Sequence, residues 1–360
     1  MELHRVRPST YFFIGQITSL FPYLFLNSRV FLIYNVKISF LLIYITLFAA
    51  TLFYFVNLFM SKIRIRKVLN FKNIRVGSPN TIIFTLLIIS IVAQLLVYGG
   101  SPLISLISDP SEIRNINSKN SSIPGLLGLV LLCNQLIVLI FILALQKKAN
   151  LLLVLGSLFS TTMAAKRQML IVLIIALSSR KKMRLRNIIF ALFSIVFLFS
   201  FIGLFRGSRN LFEPILFYLS YSTINFSQAI LSLNDYMAGY SGVLSIVDIS
   251  LPTIFRGEQE LNRMYDMAEV TAGFSLAGAT FLKSGIIGLT IMIFFIALFT
   301  SYLWRQAQNN HFFRVMYIFS IWPLIASNTY NHFTNVSFYL LPLVIFFILV
   351  SILPKRPHKI

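Results

Sequence analysis

The chain has 360 residues, of which 57% are hydrophobic and 11% charged, and it carries a formal net charge of +21. That balance excludes a soluble domain built around an ordinary core and describes an integral membrane protein. Nucleic acid is not the expected target of the basic excess, because Lys and Arg lie in short loops beside apolar runs, where anionic lipid and topology account for them.

A helix rising about 1.5 Å per residue needs roughly 20 apolar residues to cross about 30 Å of hydrocarbon. Ten segments are read as spans, at about 11 to 26, 38 to 60, 81 to 98, 124 to 145, 150 to 165, 168 to 179, 188 to 205, 285 to 303, 315 to 330 and 338 to 353. The first has a basic start and no small-residue cleavage site after it, which reads as an uncleaved anchor. With both termini in the cytoplasm, every acidic residue except Glu2 falls outside. Arg5, Arg7, the run from Lys62 to Arg75, Lys147, Lys148, Arg180 to Arg186, Arg305, Arg314, Lys355, Arg356 and Lys359 fall inside. This repeated positive-inside asymmetry sets the predicted topology. The expected fold is therefore all-α: one polytopic membrane domain over 1–360, about ten transmembrane helices, an outer loop at 99–123 and a large outer loop at 206–284.

Turn residues bound the first outer loop, with Gly99-Gly100-Ser101-Pro102 at its start and Ile123-Pro124-Gly125 at its end. Cys133, the one cysteine, permits no internal disulfide and reads as a small packing residue of the fourth span. Leu151 to Ala164 and Met169 to Ser178 are each too short to cross unaided, and they flank Ala165-Lys166-Arg167-Gln168. Joined as one helix they would place two cations at mid-bilayer and reverse every later loop against its charge. A hairpin with its turn recessed below the outer surface avoids both. Lys166 and Arg167 there are either snorkelling helix-end cations or an anion site.

In the large outer loop, Leu216, Leu219, Phe226, Ile230 and Leu233 alternate with Ser220, Thr223, Ser227 and Asn234 at helical spacing. The pattern predicts an interfacial helix lying flat with its polar face to water.

Gly99-Gly100-Ser101-Pro102-Leu103 followed by Ile123-Pro124-Gly125 resembles the GG-x-P-L … x-P-G pattern of bacterial oligosaccharide repeat-unit polymerases, the Wzy or O-antigen polymerase type. The basic turn around Arg167 occupies the place of that family's Gly-Ser-Arg turn, without its Gly-Ser. Ala272-Gly273-Phe274-Ser275, followed by Phe281 to Gly288, is similar to the family's outer-loop exit into a span through G-x-x-G. The resemblance covers roughly residues 80 to 300. It implies a metal-independent glycosyltransferase of the bacterial cytoplasmic (inner) membrane, with no cofactor. The enzyme would move a growing O-antigen or capsule glycan from its polyprenyl diphosphate onto a new lipid-linked unit. A chain-length regulator is a further implied partner.

Such a transfer needs cations for the leaving diphosphate, an acceptor for the hydroxyl proton and a groove for sugars. Arg206 and Arg209, in Arg206-Gly207-Ser208-Arg209, follow the seventh span at headgroup depth. They suit the first task, as does Arg167, although a lipid-phosphate anchor needs the same residues at the same depth. Arg114, Arg256, Arg263 and Lys166 are candidate substrate-binding cations, the first three beside acids that form ordinary ion pairs. Arg114 also stands eleven positions before Gly125, a spacing proposed as functional in the family but too common to assign an essential arginine. Asp266 and Glu269 are the candidate bases, and each is equally readable as a solvated surface charge. His332, at the outer end of the ninth span, suits phosphate binding or proton transfer, or a structural role. Tyr221 and Tyr330 are candidate sugar-stacking residues that also fit an aromatic belt.

No P-loop, HExxH, Cys/His metal spacing, G-x-S-x-G or D-x-D pair occurs, which disfavours ATPases, metalloproteases, serine hydrolases and metal-bound nucleotide-sugar enzymes. Three other readings stay open. One is a flippase or transporter of lipid-linked oligosaccharide, using a polar cavity of residues such as Gln94, Asn134 and Gln135. Another is an O-antigen ligase, which shares the donor and differs in the acceptor. The third is a non-catalytic membrane scaffold, which should tolerate loss of Arg167, Arg206 and Arg209.

Overall fold

The computed structural model describes residues 5–20, 40–63, 79–98, 129, 132–133, 135–140, 142, 222–230, 275–328, 339 and 341–352. Apart from turns, the secondary structure among these residues is helical: α1 (Pro8–Leu20), α2 (Leu41–Lys62), α3 (Pro79–Tyr98), α4 (Leu276–Ala307), α5 (His311–Ile325), a 3-10 turn (Ala326–Asn328) and α6 (Leu341–Ile352). Residues 222–230 and 135–140 are also helical. Among the described residues, two helices, Leu41–Lys62 and Ser284–Ala307, are long and apolar enough to cross a membrane by length and composition. The fifth to seventh predicted spans, the hairpin around Arg167 and the loop at 99–123 lie outside the described residues, as does most of the loop at 206–284.

Local chemistry explains the helix boundaries. Proline stands first in α1 and α3, where a missing N–H costs no hydrogen bond and φ is already helical. The Asn310 side chain caps α5 by accepting from the Phe312 N–H at 3.0 Å. At the far end of α5, Pro323 precedes the narrowing into the 3-10 turn. Thr290 and Thr300 in α4 and Ser320 in α5 return their hydroxyls to carbonyls four residues back, so they add no unmet donor to an apolar interior.

In α2 the buried residues Leu42, Ile45, Thr46, Ala49, Phe53, Val56, Asn57 and Met60 recur every three or four positions, which is one helix face. The opposite face is not polar: Tyr44 is 71% exposed and Phe59 66%. The same holds for α4, where Phe295 is 61% exposed. A helix apolar on both faces offers water nothing to solvate, unlike the surface helix of a soluble protein.

Side-chain pairings fix the helix directions. Leu42 lies beside Gly278 at one end, while Arg305 donates to the carbonyls of Met60 and Ile63 at the other, so α2 and α4 run parallel. The Tyr317 hydroxyl donates to the Val6 carbonyl at 2.6 Å, and Gly15 meets Leu324 and Ile325, so α1 and α5 are parallel as well. Ser9, at the start of α1, bonds Asn57 near the end of α2, which makes the two pairs antiparallel. Phe312 stacks on Phe346 and Phe319 on Tyr339, so α6 runs opposite to α5.

Arg305 has a definite task in this arrangement. The last carbonyls of α2 have no partner within their own helix, and one guanidinium from α4 serves two of them, at a helix end that favours positive charge. Arg305→Gln is expected to lower stability by about 1–3 kcal/mol, the worth of charge-assisted hydrogen bonds. Thermal melting in detergent checks this. Arg305→Lys, with the charge but not the fork, should recover part of the loss.

Candidate functional site at one end of the bundle

The bundle has two chemically different ends. Arg5, Arg7, Lys62, Arg305, His311 and Arg314 stand at or near one of them. Among the described residues, Lys283 is the cation at the other, and none of the described residues is Asp or Glu.

The second end is built from the start of α4. Ser275 caps the helix, its hydroxyl accepting from the Gly278 N–H at 3.0 Å. Gly278 is a close crossing point: a side chain there would come within 3.0 Å of the Phe226 ring and 3.6 Å of Leu42. Helix 222–230, the first turns of α4 and the start of α2 therefore meet at this residue.

The path of α4 changes at Gly285, whose φ of 63° and ψ of −165° lie where glycine alone is comfortable. Lengths show that the change is large. From Leu42 to Met60, α2 rises about 27 Å, whereas an unbroken helix from Gly278 to Arg305 would rise about 40 Å. Since α2 and α4 meet at both ends, α4 does not run straight from Gly278 to Arg305 but bends at Gly285.

Helix 222–230 departs from its predicted setting. The interfacial reading needs Thr223 and Ser227 in water, yet both are fully buried, together with Ser222, Ile224, Asn225 and Phe226. Helical alternation of apolar residues with hydroxyls fits a buried helix equally well, because Ser and Thr can satisfy themselves on nearby backbone. Among the neutral polar groups gathered in this region, Ser222, Thr223, Asn225, Ser275 and Thr280, the sequence offered Thr223 for solvent, Ser275 only as part of the motif from Ala272 to Ser275, and the others for nothing. Their small size and lack of charge supplied no signal. They can donate and accept hydrogen bonds; they cannot neutralise a diphosphate or act as a strong base at neutral pH.

The 3-10 turn Ala326–Asn328 lies at the same end, packed on α1 and α4, with Gln16 donating to the Ser327 hydroxyl at 2.7 Å. Arg114, Lys166, Arg167, Arg206, Arg209, Tyr221, Arg256, Arg263, Asp266, Glu269, Tyr330 and His332 all lie outside the described residues. Three stretches of chain bearing them join the described helices at this end. Tyr221 is the residue before helix 222–230, Glu269 stands six positions before Ser275, and Tyr330 two after Asn328.

The chain matches no protein-family model, and no curated protein and no solved structure is significantly similar to it.

Proposed function

We propose that this chain is a polytopic protein of the bacterial cytoplasmic membrane, with about ten spans and both termini inside. In this reading it polymerises lipid-linked oligosaccharide repeat units at the outer face. The observation that carries the proposal is the separation of the two ends. The chain connections to Tyr221, Glu269 and Tyr330 leave from the end opposite Arg5, Lys62, Arg305 and Arg314. The up-and-down alternation of α1, α2, α4, α5 and α6 agrees with an inner basic end, and the repeat-unit polymerase motifs between residues 80 and 300 supply the chemistry.

In this mechanism Arg206, Arg209 and Arg167 bind the leaving polyprenyl diphosphate. Asp266 or Glu269 takes the acceptor proton, His332 assists, and Tyr221 and Tyr330 hold sugar faces. Arg114, Arg256, Arg263 and Lys166 bind substrate. The C–O bond from anomeric carbon to diphosphate breaks as the acceptor hydroxyl oxygen bonds to that carbon, and the proton passes to the carboxylate.

The test is the length distribution of surface polysaccharide in a deletion strain complemented with wild type, Arg206→Ala or Arg167→Ala at matched membrane levels. Ladders restored by wild type, but only single units with the variants, are expected. Unchanged ladders after deletion would sink the polymerase reading. Loss of even the single unit would favour flipping or ligation. The flippase alternative draws on one observation: Gln135 is fully buried, and among the described residues neither of its amide atoms has a hydrogen-bond partner. Such a group suits a polar interior path.

A further inference from the structure

We propose that the corner where α2 ends against α4 seats one anionic phospholipid, its phosphate on Lys62 and Arg305 and an acyl chain along the outward face of α2. Backbone brings the two cations together: Arg305 donates through one nitrogen to the carbonyls of Met60 and Ile63, which bracket Lys62 in the chain. Those bonds fix the guanidinium, and among the described residues its remaining N–H groups have no partner. A half-buried guanidinium that is already held loses little freedom on binding a phosphate. Lys62 is exposed beside it. Arg5, also exposed, stands near, because its carbonyl accepts from the Nε1–H of Trp304, the residue before Arg305. The end of α2 carries about half a negative charge, which two full positive charges outweigh. No Asp or Glu occurs among the described residues to compete for those cations.

Next to the cations runs an apolar strip. Phe55, Phe59 and Lys62 recur at helical spacing and so share one face of α2. Phe55 is 60% exposed and Phe59 66%, and the strip continues through the exposed Phe48 and Tyr44. From Phe55 to Lys62 alone it is about 10 Å long. A free phosphate ion gains nothing from such a surface, whereas a phospholipid matches the cations with its head and the strip with its tail. Occupied, the seat ties the end of α2 to α4 in the folded state only, so the lipid stabilises the protein by mass action. The inference rests on the membrane setting of the proposed function and not on its polymerase activity.

Melting of the full chain in a neutral detergent, with phosphatidylglycerol or phosphatidylcholine of the same acyl chains added, tests the seat. Phosphatidylglycerol is expected to raise the midpoint by about 2–4 °C at a roughly tenfold excess over its dissociation constant, and phosphatidylcholine by clearly less. Lys62→Gln should remove most of the difference between the two lipids, and Lys62→Arg should keep it. Arg314→Gln should also keep it, since Arg314 belongs to the same basic end but lies on α5, which packs on α1 and α4. Inorganic phosphate should give no shift. Equal shifts with the two lipids, or an undiminished difference in Lys62→Gln, overturn the proposal. An equal loss in Arg314→Gln reduces the effect to diffuse attraction and overturns a defined seat. A shift with phosphate as large as with lipid overturns the lipid as occupant, and a shift accompanied by dimer-sized elution gives the strip to a second copy instead. Cell fractionation decides the setting separately. A chain found in the soluble fraction removes the membrane reading, while a membrane-bound chain with no lipid preference removes only the seat.

Discussion

Gly15→Val is expected to abolish accumulation of the folded protein. At Gly15, α1 crosses α5 so closely that an added Cβ would lie 2.6 Å from the carbonyl oxygens of both Leu324 and Ile325, and 2.9 Å from Ser327 Oγ. Two of those three obstacles are backbone, which cannot rotate away. The helices must separate, and separation also pulls Gln16 from Ser327. Small residues at helix crossings in a membrane allow close approach, and overpacking such a crossing costs about 3 kcal/mol or more when the backbone has to move. Size-exclusion profiles and melting curves in mild detergent check the prediction. Gly15→Ala should give a lowered melting midpoint and Gly15→Val little or no monodisperse protein, while Phe13→Val, on an exposed part of the same helix, stays near wild type. Wild-type behaviour of Gly15→Val would refute the crossing.

Asn57 should be the next most sensitive position. Its carboxamide is fully buried and used at both atoms, accepting from Ser9 Oγ at 3.1 Å and donating to Ser301 Oγ at 2.8 Å, so one residue of α2 ties α1 to α4. Asn57→Leu keeps the branched outline, adds some bulk and loses both bonds, at about 1–2 kcal/mol, since each hydroxyl can fall back on its own helix. Asn57→Asp is expected to be worse, by roughly 3 kcal/mol in total, because a charge replaces the amide in an apolar interior. The order of melting midpoints, wild type above Leu above Asp, is the result to look for. An Asp variant as stable as wild type would mean that water reaches the site.

The helices themselves were legible in the sequence. The spans read at 38 to 60 and 81 to 98 correspond to α2 and α3, because uninterrupted apolar length is a local property. The eighth span was placed from 285, where α4 in fact bends. The helix continues back to Leu276, and a lone glycine gives no warning of whether it ends a helix or turns it. What the sequence could not reveal is pairing. Asn57 reads as one polar residue in an apolar run, and its value lies in Ser301, 244 positions away. Gly15 likewise looks unremarkable until α5 lies against it. The buried setting of helix 222–230 was hidden for a related reason: its hydroxyls score as polar whether water or protein surrounds them. Of the candidate site, the charged residues, conspicuous in a hydrophobic chain, lie outside the described residues, and the neutral polar groups gathered near Gly278 gave no signal in the sequence.

The long-range bonds also impose an order on how the protein is made. A ribosome adding roughly 5–20 residues per second would need about 10–50 s to reach Ser301 after Asn57 has been translated. In that interval Asn57 and Gln16 lack the partners that hold them in the finished protein. Chains truncated before Ser275 should be cleared quickly even though their first helices are intact.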